Sequence, residues 1–140
     1  MPITPDGDWP PVTDAIIPLS MELFCRFDFA AARHLPNLPV THPCQRLHGH
    51  TFLVELVIRG EIDAASGWIV DFEVVDRLTS RLKADLDHRY LNEIVGLENP
   101  TTEILARWLW HKLALELAGL YCITVQEHPS RGVTYYGPAA

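Results

Sequence analysis

Residues 48–59 alternate in hydrophobicity, and this alternation constrains the fold more than any other feature of the sequence. The even positions from Phe52 to Ile58 are apolar, which predicts a β-strand with one buried face. His48 and His50 begin the same row, so their side chains are expected on that face. Two imidazoles at this separation can share a metal ion, and neutral imidazole suits zinc. The segment therefore predicts a half-buried strand with a candidate zinc site at its start.

Histidines are concentrated around the start of this strand. His34, His42, His48 and His50 are four of the seven histidines in the chain. A His-x-His pair by itself is more often two ordinary strand residues, and the concentration is what favours a metal site. Cys44 lies four residues before His48. A lone cysteine is usually a small buried hydrophobe, but a thiol beside a metal-bound substrate is a candidate nucleophile or base.

The bulk composition excludes several classes of protein. A chain of 140 residues with 48% apolar and 21% charged residues is expected to form one globular domain. No membrane-spanning run or signal peptide is predicted. The net charge of −7 argues against nucleic-acid binding. Cys25, Cys44 and Cys122 form an odd, widely spaced set, which favours free thiols and a cytoplasmic location.

Periodicity along the chain predicts an α+β domain. Proline-rich residues 1–20 are expected to form an extended N-terminal arm, and residues 21–140 a single domain. The predicted elements are, in order, two strands (about 21–31 and 48–59), two helices (starting near Phe72 and near Pro100–Thr101) and two strands (121–127 and 133–136). This β-β-α-α-β-β order predicts an antiparallel sheet with both helices on one face.

Each predicted helix has an apolar stripe that is expected to pack on the sheet. The first stripe is Val74, Leu78, Leu82 and Leu86, and the second is Leu105, Leu109, Leu113 and Leu117. Gly119 is expected to end the second helix.

Two further polar clusters are candidates for chemistry. Asp87 and His88 lie at the end of the first helix, where a carboxylate can orient an imidazole; the alternative is a histidine favoured there by the helix dipole. Glu127 ends an apolar strand. A strand-end carboxylate is usually solvated, but one that faces a pocket can bind a guanidine-like edge. Four arginines flank these segments and could attract an anionic substrate: Arg33, Arg46, Arg89 and Arg131.

Several motifs in register resemble the 6-pyruvoyl-tetrahydropterin synthase family. They are Cys44-x-x-x-His48-Gly49-His50, Gly67–Phe72, Leu86–Asn92, Leu97–Glu103 and Glu127. The resemblance covers roughly Phe24 to Gly137. The short spacing between the cysteine and the His-Gly-His is similar to the bacterial branch, the 6-carboxytetrahydropterin synthases of the queuosine pathway.

The resemblance implies a fold, an assembly and a reaction. The fold is the tunnelling fold, whose subunits form trimers that stack as hexamers, with active sites between subunits. The implied substrate is 7,8-dihydroneopterin triphosphate, which is converted with water to 6-carboxy-5,6,7,8-tetrahydropterin, acetaldehyde and triphosphate. No nicotinamide or flavin is implied.

Residue roles follow from the same resemblance. Zn²⁺ is expected to be bound by His48, His50 and His34. Cys44 is expected to transfer a proton as a thiolate, and His88, oriented by Asp87, to transfer a second. Glu127 is expected to bind the pterin edge, and the other implied pocket residues are Thr101, Thr102 and Glu103.

The chain departs from the family pattern at the first zinc histidine. Arg33 occupies the aligned position and His34 follows one residue late. A one-residue slip on a regular strand reverses the face, so a bulge near Pro36 is expected to return His34 to the site. The alternatives are a pyruvoyl-forming synthase and a non-catalytic pterin-binding protein that has lost zinc. A zinc hydrolase is disfavoured, because Glu55, the nearby carboxylate, faces away.

Overall fold

The computed structural model describes residues 21–139, so the arm expected at residues 1–20 lies outside the described residues. Five strands and two helices form the domain: β1 (Glu22–Arg33), β2 (His48–Arg59), α1 (Phe72–Leu86), β3 (Arg89–Tyr90), α2 (Thr102–Leu113), β4 (Leu120–His128) and β5 (Arg131–Tyr135). Short 3₁₀ turns lie at Pro43–Gln45 and Leu91–Glu93.

The strands form one sheet in the order β3-β1-β2-β4-β5. The pairings β1–β2, β2–β4 and β4–β5 are antiparallel, which confirms the predicted α+β arrangement. The sequence analysis did not predict β3, whose two residues pair in parallel with Ala31 and Ala32 of β1. This short strand follows α1 directly and brings the end of that helix against the end of β1.

One face of the sheet and the two helices enclose the core. The even positions of β2 from Phe52 to Ile58 are fully buried, as the alternation predicted. They pack with Phe29 of β1 and with the apolar stripes of both helices. In α1 the buried valine is Val75 instead of the expected Val74.

The second helix is shorter than its stripe suggests. It ends at Leu113, but Leu117 in the following turns is still only 2% exposed. Gly119 has a φ of +87°, and a Cβ there would lie 2.2 Å from the carbonyl oxygen of Arg59. Only glycine fits this position. Within residues 21–139, no helix is long and apolar enough to cross a membrane.

The first strand continues two residues beyond its predicted end. It pairs with β2 in unbroken register from Glu22 to Arg33, so the odd positions remain on the core face. Phe29, Ala31 and Arg33 are all buried as a result. The sheet therefore places an arginine side chain at the edge of the core, beside the first residue of β2.

Candidate active site

His48 and His50 share a face of β2, as the alternation predicted. Their ring centroids are 5.0 Å apart and the rings are nearly perpendicular. The ring of His50 lies against Phe52 at the border of the core. Burial and the nearby Arg33 charge lower the pKa of His50, which favours its neutral form.

Arg33 lies beside these histidines and is only 2% exposed. Cα pairing places it opposite His48, and its Nε lies 3.4 Å from Nε2 of that imidazole. Its Nη1 donates to the carbonyl of Pro100 and to the hydroxyl of Thr102, each at 3.2 Å. Its Nη2 forms an ion pair with Glu127. The guanidinium thus connects β1, β2, β4 and the start of α2.

Glu127 is held by a closed network with Arg33 and Thr102. The Thr102 hydroxyl donates to Oε2 of Glu127 at 2.5 Å, and Arg33 donates to the same oxygen. Burial alone would raise the pKa of Glu127, but the Thr102 and Arg33 hydrogen bonds and the Arg33 charge lower it overall. The carboxylate is therefore ionised at neutral pH.

Most of the implied pocket residues surround one cavity of about 220 Å³. Its lining includes Cys44, Thr101, Thr102, Glu103 and Glu127, together with Arg33 and Arg131. The 3₁₀ turn that carries Cys44 is fixed on both sides: the Cys44 N–H donates to Nδ1 of His42, and the Cys44 carbonyl accepts from the Leu35 N–H. The fold thus brings a cysteine, two glutamates and two threonines to one small space.

Asp87 and His88 contact each other, although neighbours in regular structure rarely do. His88 has a φ of 58°, the one positive φ among the described non-glycine residues. This left-handed turn places its Nδ1 2.9 Å from Oδ2 of Asp87. The Ala30 N–H and the His88 ring lower the pKa of Asp87. Backbone strain of this kind is concentrated at functional sites.

His88 lines a second, wider recess. This recess of about 650 Å³ is lined by His88, Arg89 and Tyr90 and by the ends of β1 and β2, including His50. The lining of the smaller cavity does not include His88. Within one chain, the structure therefore separates Cys44 from the Asp87–His88 pair.

His34 does not join the other histidines, and the expected bulge is absent. The β1–β2 register is regular through Arg33, so the next residue leaves the core face. Nδ1 of His34 lies 2.5 Å from the hydroxyl of Tyr90, and its backbone N–H and carbonyl both bond the side chain of Asn92. The expectation that a bulge returns His34 to the site is wrong, because the strand ends without one.

The residues present do not fit a three-histidine zinc site. In the described part of the chain, no three histidine, cysteine, aspartate or glutamate side chains are grouped so as to hold a metal ion. The position beside His48 and His50 is filled by the side chain of Arg33, a permanent cation without a lone pair for a metal.

Sequence reasoning placed Arg33 only among four arginines that flank the site and did not predict its burial there, although the signal was present. The odd positions of β1 are its apolar row, and continuing that parity places Arg33, not His34, on the buried face. Arg131 also lines the small cavity, with its Nε 3.9 Å from Oε1 of Glu127. The sequence indicated only that this arginine flanks the site.

The five-stranded sheet and the paired helices define a tunnelling-fold protein, with a polar cavity at one end of its sheet. A family model described as 6-pyruvoyl tetrahydropterin synthase matches residues 22–138. The chain therefore belongs to the 6-pyruvoyl tetrahydropterin synthase family, as the motifs indicated.

Individual relatives agree with this assignment. The chain is 34% identical over 122 residues to a 6-carboxy-5,6,7,8-tetrahydropterin synthase of Synechocystis sp., covering 83% of this chain and 93% of the relative. It is 40% identical over 75 residues to a dihydroneopterin monophosphate aldolase of Pyrococcus furiosus, covering 54% and 62%. The structure of Caenorhabditis elegans 6-pyruvoyl tetrahydropterin synthase superposes with a TM-score of 0.78 at 25% identity, covering 84% and 96%.

Proposed function

We propose that this protein is an enzyme that acts on the side chain of a 6-substituted dihydropterin, in the manner of a 6-carboxytetrahydropterin synthase. The proposed substrates are 7,8-dihydroneopterin triphosphate and water, and the proposed products are 6-carboxytetrahydropterin, acetaldehyde and triphosphate. The observation that carries the proposal is the small cavity, which combines Cys44 with an ionised Glu127 and the hydroxyls of Thr101 and Thr102.

The cavity supports binding of the pterin ring. Its volume of about 220 Å³ lies below the usual range for sites that enclose a whole drug-sized ligand, which suits a flat bicyclic ring better than a whole pterin triphosphate. Glu127 is an ionised acceptor for the ring N–H and the exocyclic amine, and charge-assisted bonds of this kind are the stronger ones. Thr102 and Arg33 fix the carboxylate in place.

The charged rim supports binding of the phosphate groups. Arg131 lines the cavity with its side chain 72% exposed, and Arg89 lines the wider recess. Exposed guanidinium groups at a pocket entrance bind phosphate through paired hydrogen bonds. These positions explain how a chain of net charge −7 attracts an anionic substrate.

Two groups are suited to move protons during the reaction. Cys44 lines the cavity from a fixed turn, and the imidazole of His88 is held by the carboxylate of Asp87. We assign Cys44 to proton abstraction or relay at the pterin side chain and His88 to the complementary transfer. This is acid–base chemistry that needs no external redox cofactor, because the redox change is internal to the substrate.

A product assay tests the proposal. Purified protein is incubated with 7,8-dihydroneopterin triphosphate, with and without a chelator, and acetaldehyde and pterin products are separated by chromatography. Acetaldehyde and 6-carboxytetrahydropterin are expected, whereas a pyruvoyl-forming enzyme would release triphosphate without acetaldehyde. Cys44→Ala and His88→Ala should abolish turnover and retain pterin binding. Cys25→Ala is the matched control, since Cys25 lies eight residues before Arg33 along β1. Full turnover in Cys44→Ala would contradict the assigned role.

One observation favours a second candidate, a pterin-binding protein without turnover. Arg33 fills the position at which the family resemblance implies a zinc ligand, and it forms an ion pair with Glu127. In this case the assay yields no product with or without the chelator. A fluorescent pterin still binds, and Glu127→Gln weakens this binding.

A further inference from the structure

Arg33 has no role in the family resemblance, yet it is the most deeply buried charged side chain of the site. We infer that its guanidinium takes the place of a metal ion, so that this pocket is built around an internal cation and excludes zinc. The identity of the pocket's ligand rests on the proposed function, but the exclusion of metal does not.

His48 is oriented as a metal-binding histidine would be, but it is bonded to Arg33. Its Nδ1 lies 2.7 Å from the carbonyl oxygen of Arg46, and because a carbonyl oxygen only accepts, Nδ1 carries the proton. Nε2 therefore holds the lone pair, which is the arrangement that a zinc-binding histidine has. In this chain that lone pair accepts a hydrogen bond from Nε of Arg33. The nitrogen that would bind a metal is already paired with a cation.

Arg33 is also held in place by several hydrogen bonds. Four of its five N–H groups donate within the described residues, to His48, to the Pro100 carbonyl, to Thr102 and to Glu127. A metal ion could enter only if the guanidinium left these four partners, and Glu127 would then lose its cation inside the pocket. Removing one member of a buried ion pair is strongly unfavourable.

The positive charge of Arg33 also opposes the binding of a metal ion beside the histidines. With Arg33 in place, a divalent cation beside His48 and His50 would be repelled by a guanidinium at hydrogen-bond distance from the same imidazole. Oε2 of Glu127 already pairs with Arg33, so a metal ion would share this carboxylate charge with the guanidinium. His34, the residue after Arg33, is held by hydrogen bonds to Tyr90 and Asn92.

Exchange of two neighbouring residues tests the inference. The double variant Arg33→His/His34→Arg places a histidine on the core face at the strand position opposite His48, with unchanged composition. Wild type and variant are incubated with excess zinc, gel-filtered, and analysed by elemental mass spectrometry. Cobalt titration monitored by visible absorption gives an independent measure of tetrahedral coordination. Arg33→His alone is measured in parallel, in case the double variant does not fold.

We expect far less than stoichiometric zinc in the wild type and stoichiometric zinc in a folded variant, lost again when His48→Ala is added. Stoichiometric, His48-dependent zinc in the wild type overturns the inference. So does a folded Arg33→His variant, single or double, that still takes up no metal, since Arg33 would then not be what excludes it. Pterin binding is measured separately with a chelator present, and its absence counts against the proposed function alone.

Discussion

The two oxygens of the Glu127 carboxylate have different surroundings. Oε2 accepts from Thr102 and Arg33, whereas Oε1 lies 3.9 Å from the exposed Arg131. One oxygen is therefore committed to the fold, and the other remains available to a ligand at the cavity. One carboxylate can both support the fold and bind a ligand, because Arg33 bonds only Oε2 and leaves Oε1 without this contact.

At this residue we expect Glu127→Gln to weaken pterin binding about tenfold to a hundredfold, because an amide donor would face a donor of the pterin edge and an unmatched buried contact costs roughly 1–3 kcal/mol. Calorimetric titration with a dihydropterin that lacks phosphate isolates this contact. Glu116→Gln, an exposed position in the turn after α2, is the control. Wild-type affinity in Glu127→Gln would remove this residue from the ligand site.

The same carboxylate makes stability depend on pH. Its pKa is lowered in the folded state, so Glu127 stabilises the fold fully above the ordinary glutamate pKa of about 4.3. This stabilisation is lost as the pH falls below that value through the lowered pKa, because the unfolded chain takes up the proton first. Urea denaturation between neutral pH and pH 3 should show a smaller loss of stability in Glu127→Gln than in wild type. Equal losses would show that Glu127 titrates normally.

At the scale of the elements, the start of α2 connects the helix to the site. Thr101 caps the helix by accepting the Ile104 N–H at 3.1 Å, Pro100 presents its carbonyl to Arg33, and Thr102 bonds Glu127. The backbone that begins the helix thus also positions one wall of the cavity. The chain can place these groups so closely only because they are consecutive at a helix end.

Loss of this cap should be measurable as stability. Thr101→Ala removes the acceptor of the Ile104 N–H and should lower the free energy of unfolding by about 1 kcal/mol. Thr101→Ser keeps the hydroxyl and should stay close to wild type in urea denaturation. If both variants lose the same stability, the methyl packing and not the cap is responsible.

Elements with a repeating hydrophobic pattern were predictable from the sequence, and single turns were not. Alternation predicts β2 and helical stripes predict α1 and α2, because burial on one side repeats at every turn or pleat. The two-residue β3 has no period to detect. The left-handed φ of His88 arises from the turn between α1 and β3, so the Asp87–His88 contact required the tertiary structure. Arg33 lies on the buried face because the odd positions of β1 all do. The family resemblance instead favoured His34 as the residue that enters the site.

At the scale of the whole molecule, the candidate catalytic groups lie in two places. Cys44 lines the small cavity, while the side chain of His88 is 83% exposed at the wider recess. A proton-transferring imidazole so open to solvent is poorly placed to act within one chain. We expect a homotrimer or homohexamer, measured by light scattering, in which His88 of one subunit meets the cavity of the next.

Subunit mixing tests this arrangement directly. Cys44→Ala and His88→Ala chains are each expected to be inactive, but each retains the group that the other lacks. If every site takes its thiol from one chain and its imidazole from a neighbour, random reassembly of equal amounts gives about one quarter of the sites both groups. Activity measured by product release should therefore return to about that fraction after the two variants are unfolded together and refolded. Mixing the variants without refolding is the control and should restore little. No recovery after refolding, with oligomers present, would place both groups of each site in a single chain.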